Sequence, residues 1–227
     1  MASVRFDVIS IGTLSRNRLW DEAQSVRTPH ATTTLIRAGD RHVLVDPALP
    51  AQALGARLFE RTGLGPEQID TVFLTNFRPA HRMGLALFQN ARILIHQIEQ
   101  QSARQHIERF LQQAPPEDVD RKHLQAELQL LDRLLPAEDR LADNVDLFPL
   151  FGYTAGTSGL LLSLPTSTVL VAGDAVATAE HFLAGQALAD AQDIHAAQES
   201  MREVYEIADL IIPGHDNVFL NPRAYGI

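Results

Sequence analysis

Apolar and polar positions alternate from Val4 to Ile11 and stop at Gly12, the period-two pattern of a strand. Thr13 to Ala31 is polar, holds the single tryptophan Trp20, and reads as a loop able to lie over a site. Two β-rich runs, Thr33–Arg37 and His42–Val45, flank Ala38-Gly39-Asp40-Arg41 and predict a hairpin. Ala51–Arg61 has helical composition and ends near Gly63. Thr71–Leu74 and Ala91–Ile95 are short apolar strands. Between them Pro79 is placed to start a helix running through Leu87 and Phe88.

From Gln97 to Leu135 the pattern turns amphipathic, with one break at Ala114-Pro115-Pro116, and predicts two helices. Leu124, Leu128, Leu131 and Leu135 share helical spacing, as do Ile107, Phe110 and Leu111. Such stripes usually face a core; the other reading is a homodimer contact. Strands return at Val145–Phe148, Gly159–Leu164 and Thr168–Ala172. A mixed stretch Ala175–Leu188 follows, then a helix over Asp193–Ile207 and a last strand at Leu210–Ile212. Strands alternating with helices predict α/β layering.

The 227 residues suit one large domain or a tight pair of similar halves. With 45% apolar and only 6% aromatic residues, the core must be mainly Leu, Ile, Val and Ala. A net charge of −9 without a Lys/Arg-rich run argues against nucleic acid as a partner. There are no cysteines, which excludes disulfides, thiolate metal sites and a cysteine nucleophile. Met1–Ser10 lacks a long apolar stretch, and no apolar run approaches membrane-spanning length. The expectation is therefore a cytoplasmic protein with no membrane partner. Neither a phosphate-binding G-x-x-x-x-G-K-[ST] loop nor a G-x-S-x-G elbow is present.

Four stretches carry the candidate chemistry. They are His42-Val43-Leu44-Val45-Asp46-Pro47; Thr75-Asn76-Phe77-Arg78-Pro79-Ala80-His81-Arg82-Met83-Gly84; Gly152-Tyr153-Thr154-Ala155-Gly156-Thr157 with the later Ala172-Gly173-Asp174-Ala175; and Ile211-Ile212-Pro213-Gly214-His215-Asp216. In order and spacing they resemble the metallo-β-lactamase superfamily over nearly the whole chain. The family's loops read T-H-x-H-x-D-H, G-H-T-x-G-S, G-D and G-H. The resemblance implies an αββα sandwich: two mixed sheets flanked by helices, in a single domain over 1–227 with a helical insertion at about 97–135. Its metal site would lie at one edge, between the sheets.

The resemblance breaks where the family's ligands stand. Asn76, Arg78 and Tyr153 occupy the places of the three histidines of one metal position, and Ala80 that of the loop aspartate. An amide, a guanidinium and a phenol do not replace imidazoles, so that position is expected to be empty. His81, Asp174 and His215 match the second position. Two imidazoles and a carboxylate permit one divalent metal (zinc, iron or manganese) without demanding one. If so, these three side chains converge on a common point.

Each residue also has a plainer reading. The trio can persist as a metal-free hydrogen-bonded network. Arg78 can pair with Asp174 or Asp46 in the vacated position, or bind a substrate carboxylate or phosphate. Tyr153 can be a packed aromatic or a donor to a substrate oxygen. Asp46 matches an aspartate that supports the loop. His30 and His181 can each supply a missing ligand, or simply pack. The favoured function is a hydrolase of an ester, lactone, thioester or phosphoester, a small-molecule substrate, with Asp174, Arg78 and Tyr153 in the chemistry. A bound metal would acidify a water and polarise the substrate. The alternative is a non-catalytic ligand-binding or assembly protein with a vestigial site; iron-dependent redox chemistry ranks third.

Overall fold

The computed structural model describes residues 4–115 and 120–225. The first half contributes β1 (Val4–Ser10), β2 (Thr33–Ala38), β3 (Arg41–Val45), α1 (Ala51–Thr62), β4 (Thr71–Leu74), β5 (Arg92–Ile95), α2 (Gln97–Gln113), α3 (Asp120–Arg133) and β6 (Leu135–Pro136). The second half contributes β7 (Arg140–Ala142), β8 (Val145–Pro149), β9 (Ser158–Ser163), β10 (Thr168–Gly173), α4 (Ala179–Leu183), α5 (Ile194–Ile207), β11 (Leu210–Pro213) and β12 (Phe219–Leu220). One sheet runs β1-β2-β3-β4-β5-β6, the other β12-β11-β10-β9-β8-β7. Both are mixed: β3 to β6 are parallel behind an antiparallel β1-β2-β3 meander, and β10 pairs parallel with β11 among antiparallel neighbours.

The inner strands β4, β5, β10 and β11 read as almost unbroken apolar runs because both faces are buried. Alternation sorts their side chains. Val43, Val45, Phe73, Leu94, Leu160, Leu162, Val169 and Val171 meet between the sheets. Leu44, Val72, Leu74, Ile93 and Ile95 face outward onto α1, α2 and α3. Leu170 and Ala172 face α5 on the other side. Three apolar layers therefore separate four layers of structure, helix–sheet–sheet–helix.

Local signals set the helix ends. Gly63 closes α1 in the left-handed conformation, φ 72°, its N–H returning to the Phe59 carbonyl. Asp193 caps α5 by accepting from Ala196 N at 3.0 Å. In the helical stretch Ile107 and Leu131 are core residues, and Leu124 and Leu128 pack beside them, so the stripe faces the domain. Phe110 and Leu135 are exceptions and stay exposed; Leu135 has left the helix for β6. Pro116, part of the expected break, lies outside the described residues.

Three expectations need correcting. No continuous helix follows Pro79; the segment makes two short 3₁₀ turns, Pro79–His81 and Leu85–Leu87. Gly84 explains this: its N–H bonds the Pro47 carbonyl at 2.8 Å, and a Cβ there would lie 2.5 Å from the Leu49 carbonyl. The chain is pressed onto the β3–α1 connection and cannot coil further. Leu210–Ile212 is not the last strand, since β12 pairs antiparallel with β11. The short edge strands β6 and β7 have no period-two run long enough to announce them. No helix among the described residues is long and apolar enough to cross a membrane.

Candidate metal centre

The four quoted stretches arrive at one end of the sandwich, just past the carboxyl ends of β3, β4, β10 and β11. Crevices outside strand carboxyl ends are where open α/β sheets bind ligands. Asp46 leaves β3 with φ 49°, an uncommon left-handed conformation for a non-glycine residue. Its backbone is held there by bonds from its N–H to the Phe73 carbonyl at 3.0 Å and from the Thr33 hydroxyl to its carbonyl at 2.6 Å. The carboxylate thus faces the loop after β4. Its Oδ1 accepts from Thr75 N at 2.9 Å, and its Oδ2 from the Thr75 hydroxyl at 2.7 Å.

The same Oδ2 lies 2.9 Å from His81 Nδ1. An ionised carboxylate only accepts, so Nδ1 carries a proton and Nε2 points the other way, 2.8 Å from Asp174 Oδ2. His215 is fixed by the same logic. Its Nδ1 donates to the carbonyls of Thr13 and His30 at 3.1 and 3.0 Å, and its Nε2 stands 2.9 Å from Asp174 Oδ1. Carbonyls beyond the outer nitrogen are the usual supports of ligating histidines. His81, Asp174 and His215 are all buried, with ligand atoms within 4.8 Å of one another. The convergence expected from the sequence is present.

These residues fit a divalent ion. Both inward Nε2 atoms carry the lone pair in the neutral rings. Asp174 Oδ1 is buried without an aligned hydrogen-bond donor, since His215 Nε2 is near it but off line. Gly214 keeps the space open, as a Cβ there would sit 2.6 Å from that same oxygen. In the absence of a cation, burial alone would lower the His81 pKa, but the carboxylates of Asp174 and Asp46 outweigh it and raise it to about 10. Burial likewise opposes ionisation of Asp174, and His81 and His215 outweigh it, holding its pKa well below the usual carboxylate range.

The substituted residues lie beside the trio. Asn76 is fully buried; its amide donates to Asp174 Oδ2 at 3.0 Å, and its Oδ1 accepts from Arg78 N at 2.9 Å. Arg78 departs from expectation and pairs with neither Asp174 nor Asp46. Its guanidinium lies over the Tyr153 ring, 5.0 Å from the centroid, and 3.8 Å from Asp190 Oδ2. A half-exposed cation gains more from an aromatic face and water than from the dry interior. Tyr153 is buried, its hydroxyl 3.5 Å from Asp190 Oδ2. Burial and the Asp174 charge push its pKa far above the ordinary value, against the opposing pull of Arg78, so the phenol keeps its proton.

Of the two spare histidines, His30 turns its ring nitrogens to the Thr28 and Ile11 carbonyls and contributes only its own carbonyl, which holds His215. His181 is buried, with Nδ1 2.8 Å from the Thr178 hydroxyl, and lines the cleft outside the ligand cluster.

The trio opens into a cleft of about 710 Å³. Its lining includes Leu14, Arg16, Arg18 and Pro29 of the loop read from the sequence as a cover, together with Arg78, Tyr153 and Asp190. Two important carboxylates escaped the sequence reading. Asp190 sits in a stretch with no motif. Glu99, in the first turn of α2, is buried and accepts from Phe77 N, the Thr154 hydroxyl and Gly156 N at 2.9, 2.6 and 3.0 Å. It ties the loop after β4 to the loop before β9, and nothing in its Gln-rich neighbourhood marks it.

The family model of the metallo-beta-lactamase superfamily matches residues 27–215. No curated protein matches significantly. Among solved structures, a Thermotoga maritima protein provisionally described as a metallo-beta-lactamase superposes with a TM-score of 0.70 at 16% identity, covering 96% of this chain and 99% of that one. AidC, a dizinc quorum-quenching lactonase holding an N-acyl homoserine product, gives 0.66 at 17% identity, covering 94% and 85%. A variant of B. thuringiensis AiiA with N-decanoyl-L-homoserine at its active site gives 0.62 at 18%, covering 95% and 93%.

Proposed function

Because the chain belongs to the metallo-β-lactamase superfamily, we propose that it is a hydrolase working with at most one divalent metal ion, held by His81, Asp174 and His215. The observation that carries this reading is the ring orientation. Both outer Nδ1 atoms are committed to protein acceptors, leaving both Nε2 atoms facing the Asp174 carboxylate, whose Oδ1, beside His215 Nε2, lacks an aligned donor. Zinc, iron or manganese suits such a set. When bound, the ion supplies Lewis acidity to a substrate oxygen and to water.

The remaining roles belong to the chain's own side chains. Asp174, kept ionised, serves as an acceptor and ligand and not as a proton donor. Tyr153, kept protonated, donates a hydrogen bond to a substrate oxygen. Arg78 places a positive charge on the same wall, where it steadies negative charge developing on the substrate. The substrate class is an ester, lactone, thioester or phosphoester. The solved lactone hydrolases with homoserine products support the lactone within that set as fold-level analogy.

A second reading, a non-catalytic ligand-binding or assembly protein, is favoured by Asn76. Its amide donates to Asp174 Oδ2, and with a doubly protonated His81 that oxygen has two donors without a metal. Metal content by mass spectrometry decides between them, on protein purified without a metal-affinity tag and on an Asp174→Ala variant. About one zinc, iron or manganese per chain, absent from the variant, is the expected result. No metal in either protein, even after incubation with excess ions, overturns the hydrolase reading and leaves the second.

A further inference from the structure

The chain as a whole is acidic, with net charge −9, yet the cleft is not. Two carboxylates line it, Asp174 and Asp190. Asp174 is buried and clamped between two imidazoles, so it projects little charge outward. Against the remaining Asp190 stand three arginines on the cleft walls: Arg16, Arg18 and Arg78. Arg16 spends one contact, at 3.2 Å, on the Ala23 carbonyl. Arg18 is exposed and has no ion-pair partner among the described residues. Arg78 meets Asp190 only at 3.8 Å, with both side chains substantially exposed, a geometry worth little in water.

Guanidinium groups recognise carboxylates and phosphates through paired donors. We infer that the substrate of this site carries an oxyanion, a carboxylate or phosphate, that docks among Arg16, Arg18 and Arg78 and displaces Asp190 from Arg78. This deepens the hydrolase reading and rests on it: the hydrolysed bond faces the His81–Asp174–His215 trio, and the anion faces the three arginines. Asp190 is a placeholder that competes with the ligand. Neutralising an arginine and neutralising Asp190 should therefore move anion binding in opposite directions, which removing either half of a purely structural ion pair would not.

The test is calorimetric titration with phenylphosphonate and benzoate as non-hydrolysable anions and benzyl alcohol as the neutral control. It uses the protein as purified and again after chelator treatment, so that capture by a metal alone is recognised. Both anions should bind in both states, and binding should weaken as salt rises. Arg18→Gln and Arg78→Gln should each weaken it roughly fivefold, and Asp190→Asn should tighten it by a similar factor. All three positions are at least partly exposed, and circular dichroism confirms that each variant is folded. The inference is overturned by binding that vanishes with the chelator, by equal binding of benzyl alcohol, by no anion binding, or by affinities unmoved in the variants. Anion binding that survives in a protein inactive on ester and phosphoester panels sinks the hydrolase reading and leaves the anion site standing.

Discussion

Replacing Asp46 with Asn should turn metal-free His81 from an imidazolium, both of whose nitrogens face carboxylates, into a neutral ring protonated at Nε2. The carboxylate is buried and serves three donors: Thr75 N at Oδ1, and the Thr75 hydroxyl and His81 Nδ1 at Oδ2. Asn has the same shape and tolerates the left-handed backbone of this position, φ 49°, so the fold survives. Its oxygen keeps the bond from Thr75 N, which places the amide nitrogen where Oδ2 stood. That nitrogen donates. The Thr75 hydroxyl must turn, and His81 Nδ1 must become an acceptor, so the ring gives up its Nδ1 proton and keeps the one on Nε2, the atom facing Asp174. Three charge-assisted bonds become neutral ones, which costs about 3 kcal/mol in total. A metal can then take Nε2 only by forcing the ring proton back to Nδ1 against the amide N–H, so metal affinity should fall roughly 10- to 100-fold. Urea unfolding with chelator present isolates the first effect, and zinc competition titration isolates the second. Imidazole ¹⁵N shifts report the tautomer directly. A variant within about 0.5 kcal/mol of the parent, with His81 still protonated at Nδ1, would refute the reasoning.

Three further changes test the frame around the site. Glu99→Ala strips the acceptor from Phe77 N, Gly156 N and the Thr154 hydroxyl, and should cost about 3 kcal/mol or more in urea unfolding, with Glu99→Gln milder. Gly173→Ala should lower the melting temperature well beyond Gly185→Ala. Both glycines have positive φ, 53° and 63°, but only at Gly173 does a Cβ strike Thr75, at 2.6 Å, so the difference isolates that clash. His96 caps α2 by accepting from Ile98 N at 3.2 Å, and burial depresses its pKa below the ordinary 6.5 despite the nearby Glu99 charge. The folded state therefore binds fewer protons than the unfolded state. Stability from this group is present above pH 6.5 and declines as pH falls from there toward the folded pKa, so His96→Asn should lose less stability than the parent between pH 7.5 and 5.5.

The layered fold was legible because each inner strand is apolar on both faces and each turn carries its own chemistry, as at Gly39 and Gly63. What stayed hidden depended on contacts between segments distant in sequence. Gly84 looks like any loop glycine until the Pro47 and Leu49 carbonyls are seen against it, which is why a helix was expected over that stretch. The trio was readable because each member stands in a motif of its own. The partners of Arg78 were not: ion-pair choice follows exposure, and only the folded chain shows that its guanidinium reaches the Tyr153 face and Asp190 instead of the interior. Glu99 was invisible for the same reason, being a buried carboxylate among exposed ones of identical local pattern.

The substitutions that set this chain apart from the family pattern act together. Where three histidines would hold a second ion, Asn76 now gives Asp174 a neutral donor, and Arg78 and Tyr153 stack together on the cleft wall. A buried carboxylate that loses one of two cations must recover a donor or take up a proton. The Asn76 amide meets that need without adding charge, while the positive charge moves outward with Arg78 to where solvent and ligand reach it. Asp46 and Thr75, which aim His81, remain in place, as do Gly173 and Gly214, whose missing side chains leave room for Thr75 and for Asp174 Oδ1. On the proposed reading, the residues that aim His81 at Asp174 are kept, and those in the places of the other three histidines form a surface with an arginine on it. On that argument the double variant Asn76→His with Arg78→His should not restore a second metal position, because Tyr153 still occupies the place of its third imidazole; zinc stoichiometry in the double variant should stay at no more than one, and a value of two would show that the phenol is no obstacle.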